Sequence, residues 1–244
     1  MKKTALIMGM PITVEIASEL HEALDAIDQT FIYFKEIDKR FSTYKKNSEI
    51  SKMNAGLDRL KWSKDMVEVM NLCQETKTET NGYFDILHNN QLDPSGLVKG
   101  WAIYKASKRL VSNFSNFYIE AGGDIQVFGY NNQNLPWNIG IRNPFNIDEI
   151  VKVVGLSNAG IATSGNYIRG THVYNPITKK SIKNPVSLTV IGPDIYQADR
   201  FATAAYAMGL DGIKYIEGQP DLEGYMIDKN GLATKTSNFE RYVI

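Results

Sequence analysis

The chain has 244 residues, with 27 Lys and Arg balancing 27 Asp and Glu, and one cysteine. Zero formal net charge excludes a general basic field for nucleic acid or an anionic membrane surface. The lone Cys73 excludes an internal disulfide and a cysteine-rich zinc site, and no apolar run is long enough to span a bilayer. The length suits one domain over 1–244 with ample material for a core.

In chain order, residues 4–16 read as a strand bent near Gly9 and Pro11. Two lysines precede its apolar run, but no small-residue cleavage site or lipoprotein cysteine follows. The expectation is a mature segment of a cytoplasmic protein, with a peripheral or exported form left open. Ser18 reads as the N-cap of a long amphipathic helix, in which Leu20, Leu24, Ile27, Phe31, Phe34 and Ile37 recur at spacings of three and four. A polar loop containing Tyr44 leads to a short helix at Ser48–Asn54, stopped by Gly56. A further helix runs from Ser63 to Asn81-Gly82 with Met66, Met70, Cys73 and Thr76 on one side.

Another helix is expected from about Leu97, followed by a hairpin of Phe117–Glu120 and Ile125–Phe128 around Gly122-Gly123. Trp137–Ile141, Ile150–Val154, Gly160–Thr163 and Thr171–Tyr174 are short strand candidates. Leu188, Val190 and Ile191 read as a buried strand. The Ala-rich helix after it starts near Ala198 and closes at Gly209. A helical turn near Asp211–Ile216 precedes a terminal hairpin turned by Asn230-Gly231. Helices dominate the first half and antiparallel strands the second, which is an α+β class.

On the Ala-rich helix, Asp199 and Thr203 are four apart and share a face near its expected start. A carboxylate beside a hydroxyl offers hard oxygens suited to Mg²⁺. The plainer reading is an acid that balances the helix dipole and a Thr bonded to its own helix. Asp93 and Lys99 surround Gly96 at another helix start, where backbone N–H groups and an ammonium suit a phosphate, or where the Lys is merely solvated. Glu120-Ala121-Gly122-Gly123-Asp124 is a hairpin with acidic flanks. Ala162–Tyr167 is a Gly-bearing loop without P-loop spacing. His21 and His88 read as structural or solvated. His172, on a short strand before Asn175-Pro176, is the histidine placed to accept a proton.

Taken together and in this order, these clusters resemble the ApbE family of FAD:protein FMN transferases. The resemblance is carried by Met8-Gly9, Ser42-Thr43-Tyr44 with Ser48–Ser51, Thr80–Asp85, Asp93 through Lys99-Gly100, Glu120–Ile125, Ala162–Gly165, Thr171-His172 with Pro176, and Ala198-Asp199 with Ala202-Thr203. It implies a mixed, T-fold-like α+β body that binds FAD and Mg²⁺. It also implies a reaction that attaches FMN through its phosphate to a Ser or Thr of a partner protein and releases AMP. By motif position it implies Gly96, Asp199 and Thr203 as metal ligands, and Met8, Tyr44, Tyr83, Phe84, Asp85, Asp93, Lys99 and Val173 as residues lining the FAD. His172 is implied as the base.

The chain departs from the family pattern at Met10, Ser95, Tyr104, Asn175 and Lys179, and its stretch between Asp85 and Asp93 is short. Tyr104, Asn166 and Asn175 are expected at the rim of the cleft. Two other readings stand beside the transferase. One is a hydrolase that cuts FAD to FMN and AMP, and the other is a non-catalytic flavin-binding protein.

Overall fold

A computed structural model describes residues 1–165 and 174–244. Asn166, His172 and Val173 lie outside the described residues, as does most of the Thr171–Tyr174 strand candidate. The first sixteen residues form a hairpin and not one bent strand. β1 (Lys2–Ile7) and β2 (Met10–Ile16) pair antiparallel from Lys2↔Glu15 to Ile7↔Met10. Met8 and Gly9 turn the corner with φ of 56° and 73°. A two-residue hairpin turn with both residues left-handed matches the twist of the strands it joins.

α1 (His21–Phe41) starts two residues later than its sequence signal. Ser18 Oγ accepts the Leu20 N–H at 3.2 Å, and no side chain caps the first turn. α2 (Glu49–Asn54) and α3 (Lys64–Glu79) do begin at serines. The hydroxyls of Ser48 and Ser63 each accept a backbone N–H three residues on, which satisfies one of the unpaired donors of the first turn. A small hairpin of β3 (Leu87–His88) and β4 (Gln91–Leu92) leads into α4 (Ser95–Leu110).

The second half supplies β5 (Phe117–Ala121), β6 (Asp124–Phe128), β7 (Trp137–Asn143), β8 (Asn146–Leu156), β9 (Ala159–Gly165) and β10 (Ser187–Gly192). α5 (Ile195–Ala207), α6 (Gly212–Glu217), β11 (Glu223–Ile227) and β12 (Ala233–Lys235) complete it.

One eight-stranded sheet, ordered β1-β2-β5-β6-β9-β10-β11-β12, is antiparallel at every step. β7 and β8 form a separate pair. Alternation decides which side chain faces which layer. Ile12, Val14 and Ile16 of β2, Phe117 and Ile119 of β5, and Leu188 and Val190 of β10 join a core with helix residues such as Ile27, Phe34, Trp101 and Ala202. Ile125 and Val127 of β6, Ile161 of β9 and Ile191 of β10 belong to a second core. It is closed by Trp137, Ile139, Val154 and Phe239. The central strands are therefore buried on both faces, which is why β10 reads as a continuous apolar run rather than an alternating one.

α5 lies directly on this sheet because small residues let it. A Cβ on Gly160 would sit 2.1 Å from the Ile195 nitrogen, and Ala198, Ala202, Ala204 and Ala205 are all buried. The same closeness holds between α5 and α4, and it builds the site.

Candidate active site at the junction of α4 and α5

α4 and α5 run antiparallel, with Gly96 facing Thr203 and Gly100 facing Asp199. A Cβ on Gly100 would lie 2.6 Å from the Asp199 Cβ and 2.8 Å from the Ile195 carbonyl oxygen. Glycines four apart on one helix thus admit two polar residues four apart on the other. The Gly100 N–H donates to Asp199 Oδ2 at 2.8 Å, and the Thr203 hydroxyl donates to the Gly96 carbonyl at 3.3 Å. Asp199 is not at a helix start. α5 begins at Ile195 with Asp194 as its N-cap, so Asp199 stands in the second turn, 5 % exposed. The helix-dipole reading of Asp199 therefore fails on position, since that effect fades beyond the first turn.

A second carboxylate stands behind the first. Asp124, the first residue of β6 and 1 % exposed, accepts the Thr163 N–H at 3.2 Å and pairs with the Lys99 ammonium at 2.5 Å. Burial first, and then the Asp124 charge, push the Asp199 carboxyl up to about 8. The Lys99 ammonium and the Gly100 N–H pull the other way. Two buried carboxyls share one ammonium, and a carboxyl raised that far keeps its proton near neutral pH until a cation takes the proton's place. The cluster's remaining donors are oxygens: a carboxylate, the Thr203 hydroxyl and the Gly96 carbonyl. That combination fits one further hard cation. Among the described residues no three His, Cys, Asp or Glu side chains gather to hold a metal, so such a cation would need ligands from elsewhere as well.

Beside this junction lies a cleft of about 120 Å³. Thr203 and Gly96 form its inner end, and Tyr83, Phe84, Asp85 and Asp93 form one wall. Phe84 is buried, and its N–H donates to Thr80 Oγ1 at 3.1 Å. Burial of Asp85 works to raise its pKa. Hydrogen bonds from Lys77, at 2.8 Å, and from the Leu87 N–H, at 3.0 Å, outweigh that and hold the carboxyl below its usual value. Asp93 Oδ1 accepts the Ser95 N–H at 3.0 Å, which fixes the entry to α4. His88, Tyr174 and Pro176 line the cleft as well. The His88 and Tyr174 rings lie 4.3 Å apart, and the Tyr174 hydroxyl donates to the Leu87 carbonyl at 3.1 Å.

The family model described as the ApbE family matches residues 8–90 and 87–226. The chain belongs to the ApbE family. Among its relatives is the FAD:protein FMN transferase of Haemophilus influenzae, 25 % identical over 91 % of this chain and 82 % of that one. The Escherichia coli K12 protein of the same name is 34 % identical over 59 % of this chain but only 44 % of its own length. The chain thus spans under half of that relative. In fold it matches the ApbE protein of Thermotoga maritima, with a TM-score of 0.88, 19 % identity and 99 % and 98 % of the two chains covered. The flavin transferase ApbE of Vibrio cholerae gives 0.84 at 22 % identity with the same coverage.

Of the residues implied by the ApbE resemblance, Tyr83, Phe84, Asp85, Asp93, Gly96 and Thr203 line one cleft. Asp199 and Lys99 lie behind it in the buried cluster, where Lys99 meets Asp124. Met8 sits in the β1–β2 turn, packed against the core edge. Tyr44 is 97 % exposed and is not part of the cleft wall. Tyr104 is not on the cleft rim either. It packs 6.3 Å from Tyr196 and lines a separate hollow with Lys108 and Asp194.

Two of the departures from the ApbE pattern have structural reasons. Asn175 donates from its amide to the Ala207 carbonyl at 3.1 Å, at the end of α5, a bond that a carboxylate cannot make. Lys179 adopts φ 60°, so the glycine usual there in the family answers a left-handed backbone. Sequence reading missed Asp124, Gly100 and the His88–Tyr174 wall. The legible signals were a carboxylate opening a buried strand directly after Gly122-Gly123 and a glycine pair four apart.

Proposed function

We propose that this protein is an enzyme, an FAD:protein FMN transferase that uses Mg²⁺, acting as one domain over 1–244. It attaches FMN to a Ser or Thr of a partner protein and releases AMP. The observation that carries this reading is the convergence of Asp199, Thr203 and the Gly96 carbonyl beside the buried Asp124–Lys99 pair. That cluster calls for a cation, and a pyrophosphate supplies the oxygens that the chain does not. The relatives' shared name supports the choice of FAD and of a protein acceptor.

In this scheme an acceptor hydroxyl oxygen bonds to the phosphorus on the FMN side. The bond from that phosphorus to the bridging oxygen breaks, and AMP leaves with that oxygen. Bound magnesium would neutralise charge on the pyrophosphate as this happens. Asp199, Thr203 and Gly96 would hold it. Lys99, anchored on Asp124, keeps a positive charge within the cluster. Phe84 and Tyr83 form an apolar wall that excludes water, and Tyr44 offers an exposed ring on which a flavin can stack. His172 is the proposed base for the hydroxyl proton and Val173 a further FAD contact. Both lie outside the described residues.

The deciding experiment is incubation with FAD, Mg²⁺ and candidate acceptor proteins, followed by intact mass. Transfer adds one FMN phosphoester to an acceptor for each AMP released. FMN and AMP formed at equal rates, with no mass added to any acceptor, would make the protein a hydrolase.

A further inference from the structure

On the far side of the sheet from α4 and α5 lies a trough of about 250 Å³. Every residue of β7 from Asn138 to Arg142 borders it. A strand that shows a neighbour its face presents alternate residues, whereas one that presents consecutive residues shows its edge. The main sheet contributes its face: Glu120, Ile125, Ile161 and Thr163 form the opposite wall.

The only strand partner of β7 among the described residues is β8, and its other edge has no strand partner among them. The outer edge of β8 is already covered by the C-terminal segment, through the Val154↔Val243 bridge and a bond from the Ile244 N–H to the Val153 carbonyl. That last bond also fixes the polarity of β7. Val153 points its carbonyl away from β7, so its antiparallel partner Gly140 must point its own N–H and carbonyl outward as well. Asn138, two residues back, does the same. The outward groups of Asn138 and Gly140 therefore face the trough, and no backbone partner for them occurs among the described residues.

The trough leads toward the candidate site. At one end Trp137 packs 5.7 Å from Tyr118 and donates to the Phe128 carbonyl. At the other lie Arg142 and the Gly122-Gly123 turn. Asp124 follows that turn and is held by Thr163 and Lys99, so the same end of the sheet carries the buried cluster.

We infer that this trough docks the acceptor protein, which adds an extended segment as a third strand on the free edge of β7. The inference rests on the transferase reading. The segment would alternate apolar side chains toward Ile125 and Ile161 with polar ones toward water, and its leading end would bring the Ser or Thr toward the site. Backbone pairing gives affinity and the alternate pockets give selection, as in other strand-addition complexes. A bare edge of this kind invites pairing with another chain, and here it lies at the end of the sheet that carries the candidate site.

The test uses a displayed library of twelve-residue peptides, each with one fixed Thr, incubated with the full chain, FAD and Mg²⁺ and selected for covalent flavin. The expected selected sequences alternate apolar and polar residues before the Thr. Asn138→Pro removes one outward N–H without touching the β8 ladder. It should raise the half-saturating concentration of a selected peptide about tenfold, with Asn138→Ala near wild type. The melting temperature of each variant reports whether it folds. Equal labelling of a selected peptide by wild type and Asn138→Pro would overturn the docking inference alone, whereas FAD cleavage with no peptide or protein ever labelled would overturn it together with the transferase reading. A wild-type dimer by light scattering that Asn138→Pro converts to monomer would put a second copy on this edge and overturn it too. If FAD is never cleaved, the transferase reading falls along with it.

Discussion

The inner end of the cleft and its loop wall handle charge in opposite ways. At the junction of α4 and α5, Asp199 and Asp124 are almost fully buried and share the single ammonium of Lys99, and the Asp199 carboxyl is pushed up. On the loop wall, Asp85 has Lys77 and a backbone N–H for itself and is held below its usual value. The wall is internally compensated and the junction is not. Burial alone does not make a reactive site. Burial of a carboxyl that gives up its proton only beside a cation does, because its charge must be met by something bound.

Removing the Asp199 carboxyl should have the largest effect. Asp199→Asn keeps the shape and can still accept the Gly100 N–H through its amide oxygen, but it can no longer ionise to meet a cation. AMP release from FAD in Mg²⁺ should fall by a factor on the order of 10² or more. Circular dichroism should report an intact fold. Near-wild-type AMP release would mean that the junction is only structural.

The next effect tests how tightly the junction is packed. Gly100→Ala places a methyl 2.6 Å from the Asp199 Cβ and 2.8 Å from a backbone carbonyl. Urea denaturation should show a loss of about 1–3 kcal/mol, the range for overpacking a core. Gly96→Ala meets its nearest atom, a Thr203 methyl, at 3.1 Å and should cost less. Equal losses at the two glycines would contradict the picture of a junction tightest at Asp199.

The turn that carries Lys179, beyond the cleft lining, should respond more weakly. Lys179→Gly relieves a left-handed backbone, worth about 1–2 kcal/mol, against about 0.4–1 kcal/mol of added unfolded-state freedom. The net expectation is a rise in stability of about 0.5–1 kcal/mol in thermal denaturation. An unchanged or lower midpoint would remove the strain argument.

The smallest effect is at Lys77, whose ion pair with Asp85 is partly exposed. Lys77→Met should cost about 0.2–1 kcal/mol at pH 7. Asp85 has a folded pKa below its unfolded one, so its contribution is complete above the unfolded value and is lost as pH falls through the folded value. The gap between wild type and Lys77→Met should therefore close under acid. A gap that holds constant down to low pH would mean that the pair is not electrostatic.

What was legible in the sequence follows the same division. Regular periodicity marks α1, α3 and α4 and most of the antiparallel strands, because local alternation matches the burial each face receives, while Ala-rich composition closed by Gly209 marks α5. The Met8-Gly9 corner was read as a bend, since two left-handed residues joining paired strands look like an interruption of a single run. Asp199 was placed at a helix start because Asp194, the true N-cap, stands after Gly192-Pro193, where the sequence suggested a turn. The cleft wall from Tyr83 to Asp93 came from motif order, while the His88–Tyr174 contact joins residues 86 positions apart and leaves no local pattern. Asp124 meeting Lys99 and Thr163 is likewise a product of topology alone.

The central claim is that the Asp199 carboxyl, with Asp124 beside it, is met by a divalent cation on which FAD cleavage depends. It is tested most directly by following AMP release from FAD in Mg²⁺, then in excess EDTA, then with Mg²⁺ restored. The account predicts turnover that stops on chelation and returns on restoration in the wild-type chain, and that stays near background throughout in Asp199→Asn. Undiminished AMP release in EDTA would contradict it.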